Sequence, residues 1–112
     1  MSSLNKLPLK IFPLAQADLK NIIEYISVEL SNRKAAADLI EDFENAFDNI
    51  RLFPECCPRV DNEYVNDKSL RKLIVKNYIA FYRLKNNEIQ VVRNLYVEND
   101  DATAPLKIFF CL

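Results

Sequence analysis

The sequence predicts an α+β fold in which an antiparallel helical hairpin packs on one face of an antiparallel sheet, in the order β-α-α-β-β-β. Two successive segments, over about residues 15–30 and 36–50, carry apolar residues at helical spacing. Three later segments rich in β-branched and aromatic residues are separated by turns of two or three residues. Helices with one apolar stripe must bury it, and a sheet face can cover it. The length of 112 residues indicates a single domain, 1–112.

The first predicted element is a short strand near the N-terminus. Leu7, Leu9 and Ile11 alternate with Pro8 and Lys10, which is the period of a strand. Because proline has no amide hydrogen for a sheet ladder, this strand should lie at an edge of the sheet or begin at Pro8.

Two amphipathic helices are predicted next. The first runs from about Ala15 to about Leu30, and Ser31 or Asn32 can cap the second. The second helix has a continuous apolar stripe and should end before Pro54, because the residue before a proline disfavours helical geometry. The stripe consists of Ala36, Leu39, Ile40, Phe43, Phe47 and Ile50. The short link between the helices predicts an antiparallel hairpin.

Three strands should follow, over residues 70–75, 78–84 and 89–96. The turns between them contain asparagine, which tolerates left-handed backbone geometry and so can close hairpins in a chain without glycine. Strands joined so closely form an antiparallel meander. The core should therefore span about 7–96, followed by a tail, 97–112. The tail ends in an apolar run, 106–112, which should pack on the core or be covered by a partner.

The composition excludes several kinds of chemistry. The chain has no histidine and no glycine, which excludes Ser-His-Asp and Cys-His catalysis and glycine-rich phosphate loops. Cys56, Cys57 and Cys111 are expected to be free thiols in a reducing compartment. We expect no metal site and no cofactor. The absence of a long apolar run and of a signal-peptide core predicts a cytoplasmic protein without a membrane span.

Charge is unevenly distributed although the net charge is only −1. Residues 18–50 contain eight acidic and three basic side chains, whereas residues 68–96 contain seven basic side chains and one acidic. The second half could therefore present a basic face to an acidic partner or a nucleic acid, or the cations could simply be solvated.

Several stretches match one family in order and spacing. They are Ala17–Ile26, Leu52–Glu55, Arg71–Leu84 (RKLIVKNYIAFYRL) and Val91–Tyr96. Together they resemble the RelE/ParE superfamily of toxins from bacterial type II toxin–antitoxin (plasmid stabilisation) systems, and the ParE-like branch most closely. The resemblance covers roughly residues 9–96. It implies the RelE/ParE-like fold and a cognate antitoxin that holds the toxin inactive.

The resemblance also implies two kinds of target. ParE-like members poison DNA gyrase, whereas RelE-like members cut messenger RNA on the ribosome. Target or antitoxin binding is assigned to Arg71, Lys72, Lys76, Tyr78, Tyr82 and Arg83. If the chain is a nuclease, the catalytic candidates are Arg71, Lys76, Arg83, Arg93 and Tyr96, because cations stabilise a charged phosphorane and tyrosines can stack on bases.

Structural roles compete with these assignments. Tyr78 and Tyr82 can be sheet-packing aromatics, Arg93 can be a paired structural arginine, and Arg83 can pair with Glu88 across a turn.

Departures from the family pattern lead to three hypotheses. The family's glycine and basic pair are replaced by Val97-Glu98-Asn99-Asp100, and Ile79 follows Tyr78 where the nucleases have arginine. We therefore favour a ParE-like toxin that acts by binding a target such as gyrase. The alternatives are a RelE-like ribosome-dependent endoribonuclease and an inactive member that retains only antitoxin binding.

Overall fold

A computed structural model of the chain describes residues 6–60, 68–98 and 107–108. Its helices are α1 (Pro13–Glu24), a π-helical segment (Tyr25–Glu29) and α2 (Arg33–Leu52). Its strands are β1 (Leu9–Ile11), β2 (Arg71–Val75), β3 (Tyr78–Lys85), β4 (Glu88–Glu98) and β5 (Lys107–Ile108). The α+β class and the order β-α-α-β-β-β are confirmed. Within these residues no helix is long and apolar enough to cross a membrane.

The sheet has the order β1-β4-β3-β2, with β5 paired to the far end of β4. β1 lies at an edge, as predicted, and begins after Pro8, whose carbonyl accepts a hydrogen bond from the amide of Ile89 at 2.9 Å. The meander β2-β3-β4 is antiparallel, but β1 runs parallel to β4. The sheet is therefore mixed rather than wholly antiparallel.

The direction of β1 follows from the path of the helical hairpin. α1 runs along β4 in the same direction as that strand. Ala15, near the start of α1, accepts a hydrogen bond from Asn94, and the end of α1 lies beside Tyr96. α2 then runs back to the end of the sheet at which β1 starts. The contact there is a backbone hydrogen bond of 3.1 Å from the amide of Leu7 to the carbonyl of Arg51. β2 therefore starts at the same end as β1 and runs the same way, and so does β4.

The start of α2 is fixed by a side-chain cap. The Asn32 side-chain oxygen accepts a hydrogen bond from the amide of Ala35 at 3.0 Å, which satisfies a donor that has no partner inside the helix. α2 ends at Leu52, one residue before the C-cap Phe53 and two before Pro54, as the proline predicted.

Replacing Asn32 with alanine should lower the free energy of unfolding by about 1 kcal/mol, because the cap is lost while the side chain is otherwise exposed. Urea denaturation of both proteins measures this difference. Asn32→Ser should recover most of the loss, since serine also caps helices. Equal losses in the two variants would contradict the capping role.

Both hairpin turns use left-handed backbone without glycine. Asn86 and Asn87 have φ of 55° and 58°, as a two-residue turn between antiparallel strands requires. In the first turn the left-handed residue is Lys76, with φ of 54°, rather than the neighbouring Asn77. The sequence thus predicted the position of this turn but not the residue that adopts the costly geometry.

The two sides of the sheet carry separate apolar clusters. The larger cluster joins both helices to the inner face and includes Ala15, Leu39, Phe43, Phe47, Ile50, Leu73, Val75, Ala80, Tyr82, Ile89 and Val91. On the outer face, Ile79, Phe81, Leu95 and Val97 pack with Val60. Ile79 and Phe81 are each only 1% exposed. The outer face of the sheet, on which no helix of the described residues packs, is therefore also covered at these positions.

Candidate interaction site

An apolar groove lies where the end of α1 meets the ends of β3 and β4. It has a cavity volume of about 620 Å³. We call it the tyrosine groove. Its apolar and aromatic lining consists of Ile22, Tyr25, Ile26, Leu30, Tyr78 and Tyr96. Ile22 and Ile26 also pack against the inner core, so the floor of the groove is fixed by the fold.

The π-helical segment accounts for the exposure of the groove wall. In this segment the amide of Leu30 bonds to the carbonyl of Tyr25 at 3.1 Å, five residues back instead of four. The added residue changes the angular position of the side chains that follow it, and Val28 and Leu30 lie outside the buried stripe. Tyr25 and Leu30 are each 56% exposed and Val28 is 68% exposed. Clustered large apolar side chains at the surface are typical of a binding site.

Two predicted site residues meet in this groove. Tyr78 and Tyr96 are opposite each other in the β3–β4 ladder, and their rings are 5.5 Å apart in an edge-to-face arrangement. Tyr78 also contacts Phe43 of the core at 6.1 Å between ring centres. Burial raises the pKa of Tyr78, and the neighbouring Tyr96 and Tyr25 raise it further, so its hydroxyl stays neutral. The groove thus offers aromatic surface and the neutral hydroxyl of Tyr78.

Arg71 and Tyr82 form a second cluster at the opposite end of β2 and β3. They are cross-strand neighbours that face the loop following α2. Arg71 Nη1 donates to the carbonyl of Cys57 at 2.6 Å, and the Tyr82 hydroxyl donates to the carbonyl of Pro54 at 2.8 Å. Both side chains therefore anchor this loop, and Tyr82, at 0% exposure, is a packing residue.

The buried hydroxyl of Tyr82 should make stability depend on alkaline pH. Burial raises the pKa of Tyr82 strongly, and the nearby thiols of Cys57 and Cys56 raise it further. An unfolded tyrosine ionises near about pH 10, whereas Tyr82 keeps its proton in the folded protein. Folding stability is thus fully present below that pH and is lost above it, by up to about 1.4 kcal/mol per pH unit for one such group.

Tyr82→Phe should reduce this loss. Urea midpoints measured from about pH 9 to pH 11 should fall less steeply in the variant than in the unaltered protein. Some slope should remain, because the pKa of Tyr78 is raised as well. If the urea midpoints of the two proteins fell equally steeply with pH, ionisation of Tyr82 would not be the cause of the alkaline loss of stability.

Arg93 belongs to an ion pair with α1. Its Nε and Nη2 donate to the two carboxylate oxygens of Asp18 at 2.7 and 3.0 Å, and Asp18 also accepts the amide of Asn94 at 3.0 Å. The side chains of Arg93 and Asp18 are 13% and 12% exposed. The paired structural role predicted as an alternative for Arg93 is the one observed.

A bulge in β4, directly before Arg93, interrupts the simple alternation of side chains along this strand. The register shifts between Phe81 and Tyr82 of β3, which pair with Arg93 and Val91, so Val92 is the extra residue. Val91 consequently packs on the inner face and Leu95 on the outer face. Simple alternation would put Val91 and Leu95 on the same face of the strand, because alternation cannot show an inserted residue.

The remaining predicted cations lie apart from one another. Arg83 donates through Nε to Gln90 at 2.8 Å and lies 5.8 Å from the ring of Phe12, on the outer face. The cross-strand neighbour of Arg83 is thus Gln90, whereas Glu88 is opposite Lys85. Lys76 is exposed in the first turn, with its Nζ 4.0 Å from a carboxylate oxygen of Asp42.

Lys72 is half-buried beside Phe81, and its backbone amide bonds to the carbonyl of Pro58 at 3.1 Å. Arg71 begins β2 and Lys76 directly follows its last residue, which corresponds to a separation of about 16 Å along an extended strand. The nuclease candidates therefore do not meet in one centre.

The sequence analysis assigns no functional role to Tyr25, Val28 or Leu30, all of which are exposed in the structure. The signal that could have found them is the excess of large apolar residues at the end of the first helix, more than one stripe can bury. The apolar run 106–112 lies outside the described residues except for β5.

The chain is similar to known proteins in sequence and in fold. The family described as "ParE toxin of type II toxin-antitoxin system, parDE" matches residues 9–97. A solved structure from P. aeruginosa, described as a chromosomal ParDE TA system, superposes with a TM-score of 0.67. The two sequences are 24% identical, and the superposition covers 84% of this chain and 99% of the chain in the solved structure. No curated protein matches by sequence.

Proposed function

We propose that this chain, which belongs to the ParE toxin family of type II toxin–antitoxin systems, acts by binding a target protein and is held inactive by an antitoxin seated in the tyrosine groove. An antitoxin partner is implied by the family. DNA gyrase is the proposed target, and the cytoplasm is the proposed site of action.

The tyrosine groove carries the proposal for the antitoxin. A segment with apolar side chains at helical spacing would bury the exposed parts of Tyr25, Leu30 and Tyr96, each more than half exposed. Aromatic side chains in a preformed groove supply large contact area at small entropic cost, which is why such residues dominate binding energies. Lys76, in the turn beside Tyr78, offers a positive charge to an acidic segment at one end of the groove.

The dispersal of the basic residues supports binding rather than catalysis. RNA cleavage needs a proton acceptor and cations around one phosphate. Arg71 is occupied with loop carbonyls and Arg93 with Asp18, while Lys76 is about a strand length from Arg71. The surfaces proposed for target contact are those carrying Lys72, Lys76 and Arg83, and Tyr78 contributes to the groove.

The test is inducible expression of the chain with and without the neighbouring open reading frame. We expect growth arrest that co-expression of that reading frame relieves, and inhibition of gyrase supercoiling by the purified chain. Transcript cleavage in a translating extract with gyrase unaffected would instead establish a ribosome-dependent nuclease. Normal growth with the folded chain present, together with antitoxin binding, would identify an inactive member of the family.

A further inference from the structure

A pair of adjacent thiols lies in the loop that follows α2. The sulfur atoms of Cys56 and Cys57 are 3.6 Å apart, and Cys56 is exposed while Cys57 is half-buried against the inner core. The loop is held from both sides, since Arg71 bonds to the carbonyl of Cys57 and Tyr82 to that of Pro54. The two sulfurs are thus presented together on an anchored stretch of backbone. Neither thiol has a part in the proposed binding groove.

The spacing of the pair does not favour a disulfide. Adjacent residues joined by a trans peptide have Cα atoms about 3.8 Å apart, below the range of about 4.4–6.8 Å in which disulfides are relaxed. An S–S bond would also require the sulfurs to approach to about 2.05 Å. Such a bond would be strained and readily reduced.

The spacing does fit one atom bound to both sulfurs. Two sulfurs on a common atom are separated by roughly 3.5–3.8 Å when each bond is about 2.3 Å long, as it is for zinc. Structural zinc, however, needs four ligands. Among the residues the structure describes, no group of three or more candidate ligand side chains exists, and the chain has no histidine. The pair therefore suits an atom that needs only two thiolate ligands from the protein.

We propose that Cys56 and Cys57 form a capture site for trivalent arsenicals, with one arsenic atom bridging both sulfurs. For a compound R–As=O, two As–S bonds form, the arsenic–oxygen bond breaks, and both thiol protons leave with the oxygen as water. Arsenic keeps its oxidation state, so the step needs no oxidant or reductant. The observed sulfur separation lets the ring close without moving the backbone that Arg71 and Tyr82 hold.

Titration of the folded full-length chain with phenylarsine oxide tests this site. Intact-mass measurement should show one adduct, and two of the three thiols should become unreactive. The adduct should persist with excess glutathione and be removed by ethanedithiol, since only a dithiol can replace both bonds. Binding should be about tenfold tighter in the folded chain than in the same chain in concentrated urea.

Three variants assign the adduct to the pair. Cys56→Ser and Cys57→Ser should each abolish the glutathione-resistant adduct, whereas Cys111→Ser is the matched control and should retain it. Cys56 is exposed, so Cys56→Ser is informative even if substitution of the half-buried Cys57 disturbs folding. Loss of the adduct in Cys111→Ser, or equal affinity of the folded and unfolded chains, would overturn the proposal.

Discussion

Replacing Asp18 with alanine is expected to lower the free energy of unfolding by about 3–5 kcal/mol, the largest effect of any single substitution considered. The carboxylate pairs with Arg93 through two hydrogen bonds and accepts the amide of Asn94. Both charged side chains are nearly nine-tenths buried, so solvent cannot replace the lost partner. In the variant the guanidinium of Arg93 stays buried without the carboxylate that compensates its charge. The free energy of unfolding falls because this buried charge is poorly solvated.

Urea denaturation monitored by circular dichroism measures the effect of Asp18→Ala. The matched control is Asp38→Ala, which breaks the exposed ion pair between Lys34 and Asp38 on α2. Those side chains are 86% and 58% exposed, so the control should change stability by no more than about 0.5 kcal/mol. Similar losses in both variants would mean that the Asp18–Arg93 pair contributes no more than a surface pair.

The second large effect is expected at the wall of the tyrosine groove. Leu30→Glu should weaken antitoxin binding by about a hundredfold, which corresponds to about 2.8 kcal/mol. The reason is that a bound segment would have to desolvate the new carboxylate without offering it a partner. Growth arrest by this variant should then persist when the neighbouring reading frame is co-expressed.

Leu14→Glu is the control for Leu30→Glu. Leu14 is also 56% exposed, but it lies at the start of α1 and outside the groove lining. Antitoxin affinity, measured by calorimetry with the purified product of the neighbouring reading frame, should be unchanged in this control. Equal weakening by both variants, or none by Leu30→Glu, would place the antitoxin elsewhere. Thermal melting of both variants separates a loss of binding from a loss of folding.

Local features of the fold could be predicted because they depend on neighbours in the sequence. The Asn32 cap, the end of α2 before Pro54 and the Asn86–Asn87 turn each depend on residues within a few positions of one another. The α+β class follows from hydrophobic periodicity, which is likewise a local signal. Of the site, Tyr78 and Tyr96 were predicted as functional residues, and the structure brings them together across one rung of the ladder.

Contacts between distant residues were decided only by the tertiary structure. Arg93 and Asp18 are 75 residues apart in the sequence, and the bulge at Val92 interrupts the alternation of side chains along β4. The role of Arg71 likewise depends on a distant contact, because its side chain bonds to the carbonyl of Cys57 in the loop after α2. No residue near Arg71 in the sequence indicates this contact.

The sequence by itself therefore determined the element order, the caps and turns, and the family resemblance, because each is encoded in short-range pattern. The tertiary structure decided that β1 runs parallel to β4, that the outer sheet face is covered at Ile79 and Phe81, and that the end of α1 opens into a groove. These outcomes depend on which distant surfaces meet. Burial and pairing free energies are determined by those contacts, and no local propensity encodes them.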